Sequence, residues 1–184
     1  IYYEKLLYMP EGRSALDYLL GRGISEISIK NFRVGFSLNS RGGLKTALSR
    51  QGISDELMIE AGLLIQPDDP SRPTYDRFRG RVMFPITNRG GRVIAFGGRI
   101  LGEGEPKYLN SPETPIFHKG DNLYALSQAV EGARESKTIL VTEGYTDVIA
   151  LNQAGFENTV APLGTALTEN QLQLLWRTVS EPIL

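Results

Sequence analysis

Thr138-Ile139-Leu140-Val141-Thr142-Glu143-Gly144-Tyr145-Thr146-Asp147-Val148-Ile149-Ala150-Leu151 is the stretch on which the fold turns. Ile139, Leu140 and Val141 read as a short buried strand, and Val148, Ile149 and Leu151 as the apolar face of the helix that follows. Gly144 stands between them, where the chain needs a tight turn. Glu143 is thereby placed at the strand tip and Asp147 in the first helical turn, and the carboxyl end of a strand is where open α/β sheets gather their chemistry. Two carboxylates converging there can ligate a hard cation such as Mg²⁺, or divide into a ligand and a general acid/base. A plainer alternative leaves both acids only complementing the positive end of the helix dipole.

Working outward, Thr159 to Ala161 reads as a second strand and Leu163-Gly164-Thr165 as a turn. Thr168-Glu169-Asn170-Gln171 has capping-box spacing for a helix containing Leu172, Leu175 and Trp176. This strand-helix-strand-helix order implies a parallel sheet joined by right-handed crossovers. Glu181-Pro182-Ile183-Leu184 looks like a further strand beginning, and with Ile1 rather than methionine at the start, both ends look cut from a longer chain. Upstream, residues 1–65 read as helical. Ala15, Leu16, Leu19 and Leu20 share a face ending at Gly21 to Gly23, Ser25 and Ser54 are spaced as helix caps, and Leu44 to Arg50 forms another helix. Gln66 to Thr74 is a turn-rich connector. Residues 66–134 are mixed in character, with a helix from about Leu123 to Arg134, and residues 135–184 carry the parallel sheet. The expected class is α/β, an α+β amino-terminal part followed by a parallel-sheet part.

At 184 residues and 41% hydrophobic content the chain can bury a real core. It has no cysteine and one histidine, which excludes both a disulfide framework and a Cys-based zinc site. No apolar run is long enough to span a bilayer, and the start lacks the pattern of a secretory signal, so the expected location is cytoplasmic with no membrane partner. The net charge of −1 hides an asymmetry. Arg72 to Gly120 holds nine basic and four acidic residues, and the remainder eleven basic and seventeen acidic. A local basic stretch is the footprint expected for a phosphate backbone or a triphosphate.

That stretch has two notable blocks. Arg77-Phe78-Arg79-Gly80-Arg81-Val82-Met83-Phe84-Pro85-Ile86, then Asn88-Arg89-Gly90-Gly91, then Arg92 to Arg99 reads as a β-hairpin with a glycine-containing turn. An alternative reading sets Arg77, Arg79 and Arg81 on the solvent face of a strand whose other face is Phe78, Val82 and Phe84. Pro106-Lys107-Tyr108-Leu109-Asn110-Ser111-Pro112-Glu113-Thr114, running on to Phe117-His118-Lys119-Gly120, reads as a polar loop. These blocks, followed by Glu143-Gly144-x-x-Asp147, resemble the catalytic core of the bacterial replicative DNA primases, the DnaG-type enzymes. The Glu-Gly turn resembles the start of their Toprim domain, a module shared with type IA and II topoisomerases and some nucleases.

The resemblance implies a DNA-templated RNA polymerase that makes short primers on single-stranded DNA by metal-dependent nucleotidyl transfer from ribonucleoside triphosphates. It implies Glu143 as metal ligand or proton-transfer group, Asp147 as supporting metal ligand, and Mg²⁺ as cofactor with Mn²⁺ as an alternative. Arg99, Lys107 and Lys119 are expected on phosphates, Asn110 on a sugar or phosphate oxygen, Tyr108 stacked on a base, and Arg77 and Arg79 on the template backbone. Phe117 and Trp176 are expected in the core, and His118 as a satisfied loop residue. Further acidic ligands of the family, including an Asp-x-Asp pair on a later strand, do not occur after Asp147, so the fragment alone is expected to be inactive. Zinc and the replicative helicase are expected to engage other domains of the parent protein. Competing readings are another Toprim enzyme, such as a topoisomerase or nuclease, a non-catalytic single-stranded-DNA-binding module, and a plain structural domain.

Overall fold

The structure is a computed structural model and describes residues 1–69, 71–164 and 166–184; Pro70 of the connector and Thr165 of the turn after the second parallel strand lie outside the described residues. The order is α1 (Tyr2–Leu7), α2 (Arg13–Gly21), α3 (Glu26–Asn31), β1 (Gly35–Ser37), α4 (Gly43–Ser49), α5 (Asp55–Glu60), β2 (Leu64–Ile65), β3 (Tyr75–Asp76), β4 (Arg81–Thr87), β5 (Val93–Ile100) and β6 (Tyr108–Asn110). It continues with α6 (Leu126–Ser136), β7 (Leu140–Val141), α7 (Tyr145–Gln153), β8 (Thr159–Val160) and α8 (Glu169–Trp176). The expected caps are in place. Ser25 and Ser54 accept from the amides of Ser28 and Leu57, and Thr168 and Gln171 cap each other reciprocally.

An antiparallel sheet in the order β1-β4-β5-β6 forms the amino-terminal part. Its hairpin, β4 and β5, turns at Asn88 to Arg92, where Gly91 takes φ +75°. Two corrections to the sequence reading come from the edges. Gly35 to Ser37 lies within the stretch read as helical, yet it pairs with Met83 to Arg81; Tyr108 to Asn110, read as loop, pairs with Gly97 to Arg99. Edge strands of three residues are too short to show a two-residue period. A third correction concerns the arginines. Arg77 and Arg79 precede β4 instead of lying in it, and Arg81 is buried, because both faces of this central strand are covered.

In the second part β7 and β8 run parallel, Leu140 beside Thr159 and Val141 beside Val160, as the alternation of elements predicts. Ile183 extends this sheet in parallel beside Leu140, and Tyr124 pairs with Ala161 on the opposite edge. Leu172 and Leu175 of α8 face this layer. Trp176, expected in the core, is 58% exposed; the Thr168 cap fixes the helix phase, and the next position along turns outward.

One apolar core joins the two parts. It runs from Leu19 and Phe36 through Val82, Phe84 and Ile86 to Tyr124, Tyr145, Val148 and Ile149. Tyr145, the first residue of α7, lies nearly parallel to Phe84 with ring centres 5.0 Å apart, and Tyr124 meets it edge-on at 4.7 Å. This stack requires a bare backbone at Gly97 of β5, where a β-carbon would come within 2.5 Å of the Tyr145 ring. We expect Gly97→Ala to lower stability by about 1–3 kcal/mol through overpacking, read as a fall in the thermal unfolding midpoint.

Candidate active site

Glu143 follows β7 by two residues, and Asp147 is the third residue of α7. The turn is fixed by three contacts: the Thr142 amide donates to the Val160 carbonyl, the Val148 amide to the Gly144 carbonyl, and the buried Tyr145 ring anchors the helix start. Both carboxylates are exposed, and neither makes an ion pair or side-chain hydrogen bond among the described residues. Gly144 has φ −148° and ψ 171°, extended backbone open to any residue, so its expected turn-forming role is not the reason for glycine. A β-carbon there would stand 3.2 Å from Asp147 Oδ2, a tight approach that the exposed carboxylate can relieve by turning away.

Arg99 projects from β5 between two aromatic rings, its guanidinium carbon 4.4 Å from the centre of Tyr18 and 5.9 Å from that of Tyr108. Its buried Nε has no hydrogen-bond partner among the described residues. Stacking holds the fork in place while leaving its charge unneutralised. Lys107 and Tyr108 are exposed at the start of β6. Their backbone is held by Arg81, whose buried Nη1 donates to the carbonyls of Gly98, Pro106 and Lys107 at 3.2, 2.9 and 3.4 Å. Burial, then the neighbouring Arg79 charge, draws the Arg81 guanidinium below its ordinary value. Lys119 is positioned by its backbone, which donates to Glu113 Oε1 and accepts from Gln171 Nε2. His118 is 2.9 Å from Glu113, a satisfied loop residue as expected, and Phe117 is fully buried.

Asn110 is where the two parts meet. Its Oδ1 accepts from the Tyr145 hydroxyl at 2.7 Å, its Nδ2 donates to the Leu163 carbonyl at 2.6 Å, and its own carbonyl accepts from Arg77 Nη2 at 3.1 Å. Arg77 is half-buried, and desolvation lowers its guanidinium value. Arg79 lies on the surface side, 4.9 Å from the centre of Tyr75, which Arg41 approaches at 5.2 Å. The nearest acid in sequence, Asp76, is turned inward and capped by the amides of Leu44 and Lys45 at 2.8 and 3.0 Å, so it does not offset these two arginines.

Glu143 and Asp147 thus sit at one end of the parallel sheet, and the Asn110–Tyr145 bond connects α7 to the strand bearing Arg99's neighbours. Sequence reasoning did not single out Tyr18, Arg41, Tyr75 or Tyr145, and read Arg81 only as one of a triplet with Arg77 and Arg79. Tyr145 had a signal, standing between two singled-out residues; the others are connected to the site only through tertiary packing.

Residues 2–130 match the family model for the DNA primase catalytic core, N-terminal domain, and residues 137–184 that for the Toprim domain. A DNA primase of Pseudomonas putida is 49% identical over 178 residues, covering 97% of this chain and 27% of that protein. The chain therefore spans little more than a quarter of that relative's length. Among solved structures, the Escherichia coli primase catalytic core superposes with a TM-score of 0.89 at 46% identity, covering 98% of this chain and 57% of that one. A DnaG primase catalytic domain bound to single-stranded DNA gives 0.87 at 46% identity, covering 98% and 56%. With family models matching both parts and relatives of this identity along nearly its whole length, the chain belongs to the DnaG-type DNA primase family and carries its catalytic-core fold with a Toprim domain.

Proposed function

We propose that this chain is the part of a primase that aligns a ribonucleoside triphosphate and a single-stranded DNA template for nucleotidyl transfer. The observation that carries this reading is the pair of unengaged carboxylates, Glu143 and Asp147, tied through Tyr145 and Asn110 to β6, which Lys107 precedes and whose neighbour β5 carries Arg99. Residues 1–65 and 66–134 act as the two sections of the nucleic-acid-binding part, and 135–184 as the metal-binding part.

Glu143 and Asp147 fit a hard divalent cation, Mg²⁺ or Mn²⁺, because both offer free carboxylate oxygens. No group of three or more His, Cys, Asp or Glu stands close enough for a metal among the described residues, so these two supply part of a ligand set. Such an ion, when bound, activates the attacking ribose hydroxyl and neutralises the leaving pyrophosphate. Glu143 holds the ion or takes the proton of the attacking 3′-hydroxyl, and Asp147 supports the ion. Arg99 grips phosphate with its fork, Lys107 and Lys119 add point charges, and Tyr108 offers a ring face to a base. Arg77 and Arg79 face the template backbone.

Single substitutions separate these roles. We expect Lys107→Ala and Lys119→Ala in the intact protein to weaken nucleotide binding and leave template affinity unchanged. Arg77→Ala and Arg79→Ala should instead weaken single-stranded DNA binding, and each lost phosphate contact should reduce the slope of log affinity against log salt by about 0.7. Fluorescence anisotropy across a salt series reads this directly. An unchanged slope in both arginine variants would remove them from the template track.

A further inference from the structure

Asn110 joins three segments through three atoms. Its carbonyl receives Arg77, its Oδ1 receives the Tyr145 hydroxyl, and its Nδ2 reaches the Leu163 carbonyl in the segment after β8. Both ends of the amide are engaged inside the protein, one lone pair of Oδ1 by Tyr145 and one N–H of Nδ2 by Leu163, which fixes the orientation of the side chain. The Tyr145 hydroxyl is the donor in its bond, since the amide oxygen it meets can only accept. The ring below that hydroxyl is fixed by Phe84, Tyr124 and the bare backbone of Gly97. Tyr145 is also the first residue of the helix that carries Asp147 and directly follows the Glu143-Gly144 turn.

We propose that Asn110 is a positioning residue, whose amide sets the distance between β6, with Lys107 just before it and Tyr108 at its start, and the turn and first helical turn bearing Glu143 and Asp147. This rests on the primase reading, because that distance matters only if phosphates and metal ligands act on one substrate. Nucleotide is gripped by the first group of residues and transformed at the second, so a loosened junction misplaces the reacting atoms without weakening the grip. Small misplacements of this kind are costly in rate. Asn110 therefore acts on turnover and not on binding, contrary to the direct ligand contact expected from its place in a polar segment.

A double-mutant cycle in the intact protein tests this, with Asn110→Ala, Tyr145→Phe, the pair, and Glu143→Gln as control. Tyr145→Phe preserves the ring stack and removes only the hydroxyl, so it carries the test even if Asn110→Ala fails to fold. The expected result is a fall of about tenfold in kcat for primer synthesis in each single variant, with the double variant no slower than the slower single one. Nucleotide KM and template Kd should stay within about twofold, since that grip is made by other residues. A raised nucleotide KM in Asn110→Ala alone would make Asn110 a ligand contact and overturn the proposal. So would losses that multiply, or a lower unfolding midpoint with kcat unchanged. If the unsubstituted protein makes no primers, the primase reading itself falls; if it makes them, Glu143→Gln does not and the cycle is additive, only the role of Asn110 falls.

Discussion

Glu143→Gln in the intact protein should cut primer synthesis by about 10²- to 10⁴-fold, the range associated with losing a proton-transfer group, and further if a metal ligand is lost with it. Stability should barely change. The Glu143 side chain is exposed and makes no ion pair or hydrogen bond among the described residues, so the amide isostere removes charge without removing a contact. Template affinity should also hold, because Arg77 and Arg79, proposed for the template, lie between β3 and β4 and not on the Glu143 turn. Three measurements on one sample separate these outcomes: primer yield, thermal unfolding and template anisotropy. A yield within a few-fold of wild type would remove Glu143 from the chemistry. A lowered midpoint accompanying the lost yield would instead mark the residue as structural.

Arg99→Ala should produce the next largest effect, a loss of about tenfold to a hundredfold in nucleotide affinity, from one charge-assisted contact worth about 1.5–3 kcal/mol. The motive is geometric. The guanidinium is stacked over Tyr18 with Tyr108 nearby, and no carboxylate is in salt-bridge contact with it among the described residues. Side-chain rotational freedom is therefore already restricted before a phosphate arrives. Arg99→Lys should recover only part of the loss, since an ammonium keeps the charge but neither the fork nor the flat face. Isothermal titration with a non-hydrolysable triphosphate reads both variants. Full recovery by lysine would show that charge alone matters at this position, and that the stacking over Tyr18 is incidental.

How far the sequence could be read depended on the range of the interactions. The β7-turn-α7 unit was legible because its signals are local: three apolar residues, a glycine, two acids and an apolar helical face within fourteen positions. The serine and threonine caps were legible for the same reason, since a cap joins residues three apart. The edge strands β1 and β6 were not, because three residues cannot display a period and each is defined by its partner across the sheet. Gly144 was expected to permit a tight turn, but its backbone is extended with no positive φ, and the one atom near a would-be β-carbon is Asp147 Oδ2 at 3.2 Å. Arg81 and Arg99 look alike in sequence, two arginines in one hairpin. One is buried and bound to three carbonyls, the other stacked and left with its charge free. Only the register of β4 against β5 separates them, and register is set by packing that no single segment contains.

The same limit explains Asn110. Its segment reads as polar and ligand-facing, while its three partners lie 33, 35 and 53 residues away in sequence. Conversely, Trp176 reads as core by residue type and is turned outward by the phase of a well-capped helix.

The most direct test is template-dependent ribonucleotide incorporation by the intact protein on single-stranded DNA, with labelled ribonucleoside triphosphates and Mg²⁺. The expected product is a short RNA complementary to the template, absent when template, triphosphates or divalent cation is omitted, and reduced at least about 100-fold for Glu143→Gln. DNA cleavage or strand passage without triphosphates would contradict it in favour of another Toprim chemistry. Tight template binding with no RNA product under any divalent cation would contradict it in favour of a non-catalytic binding module.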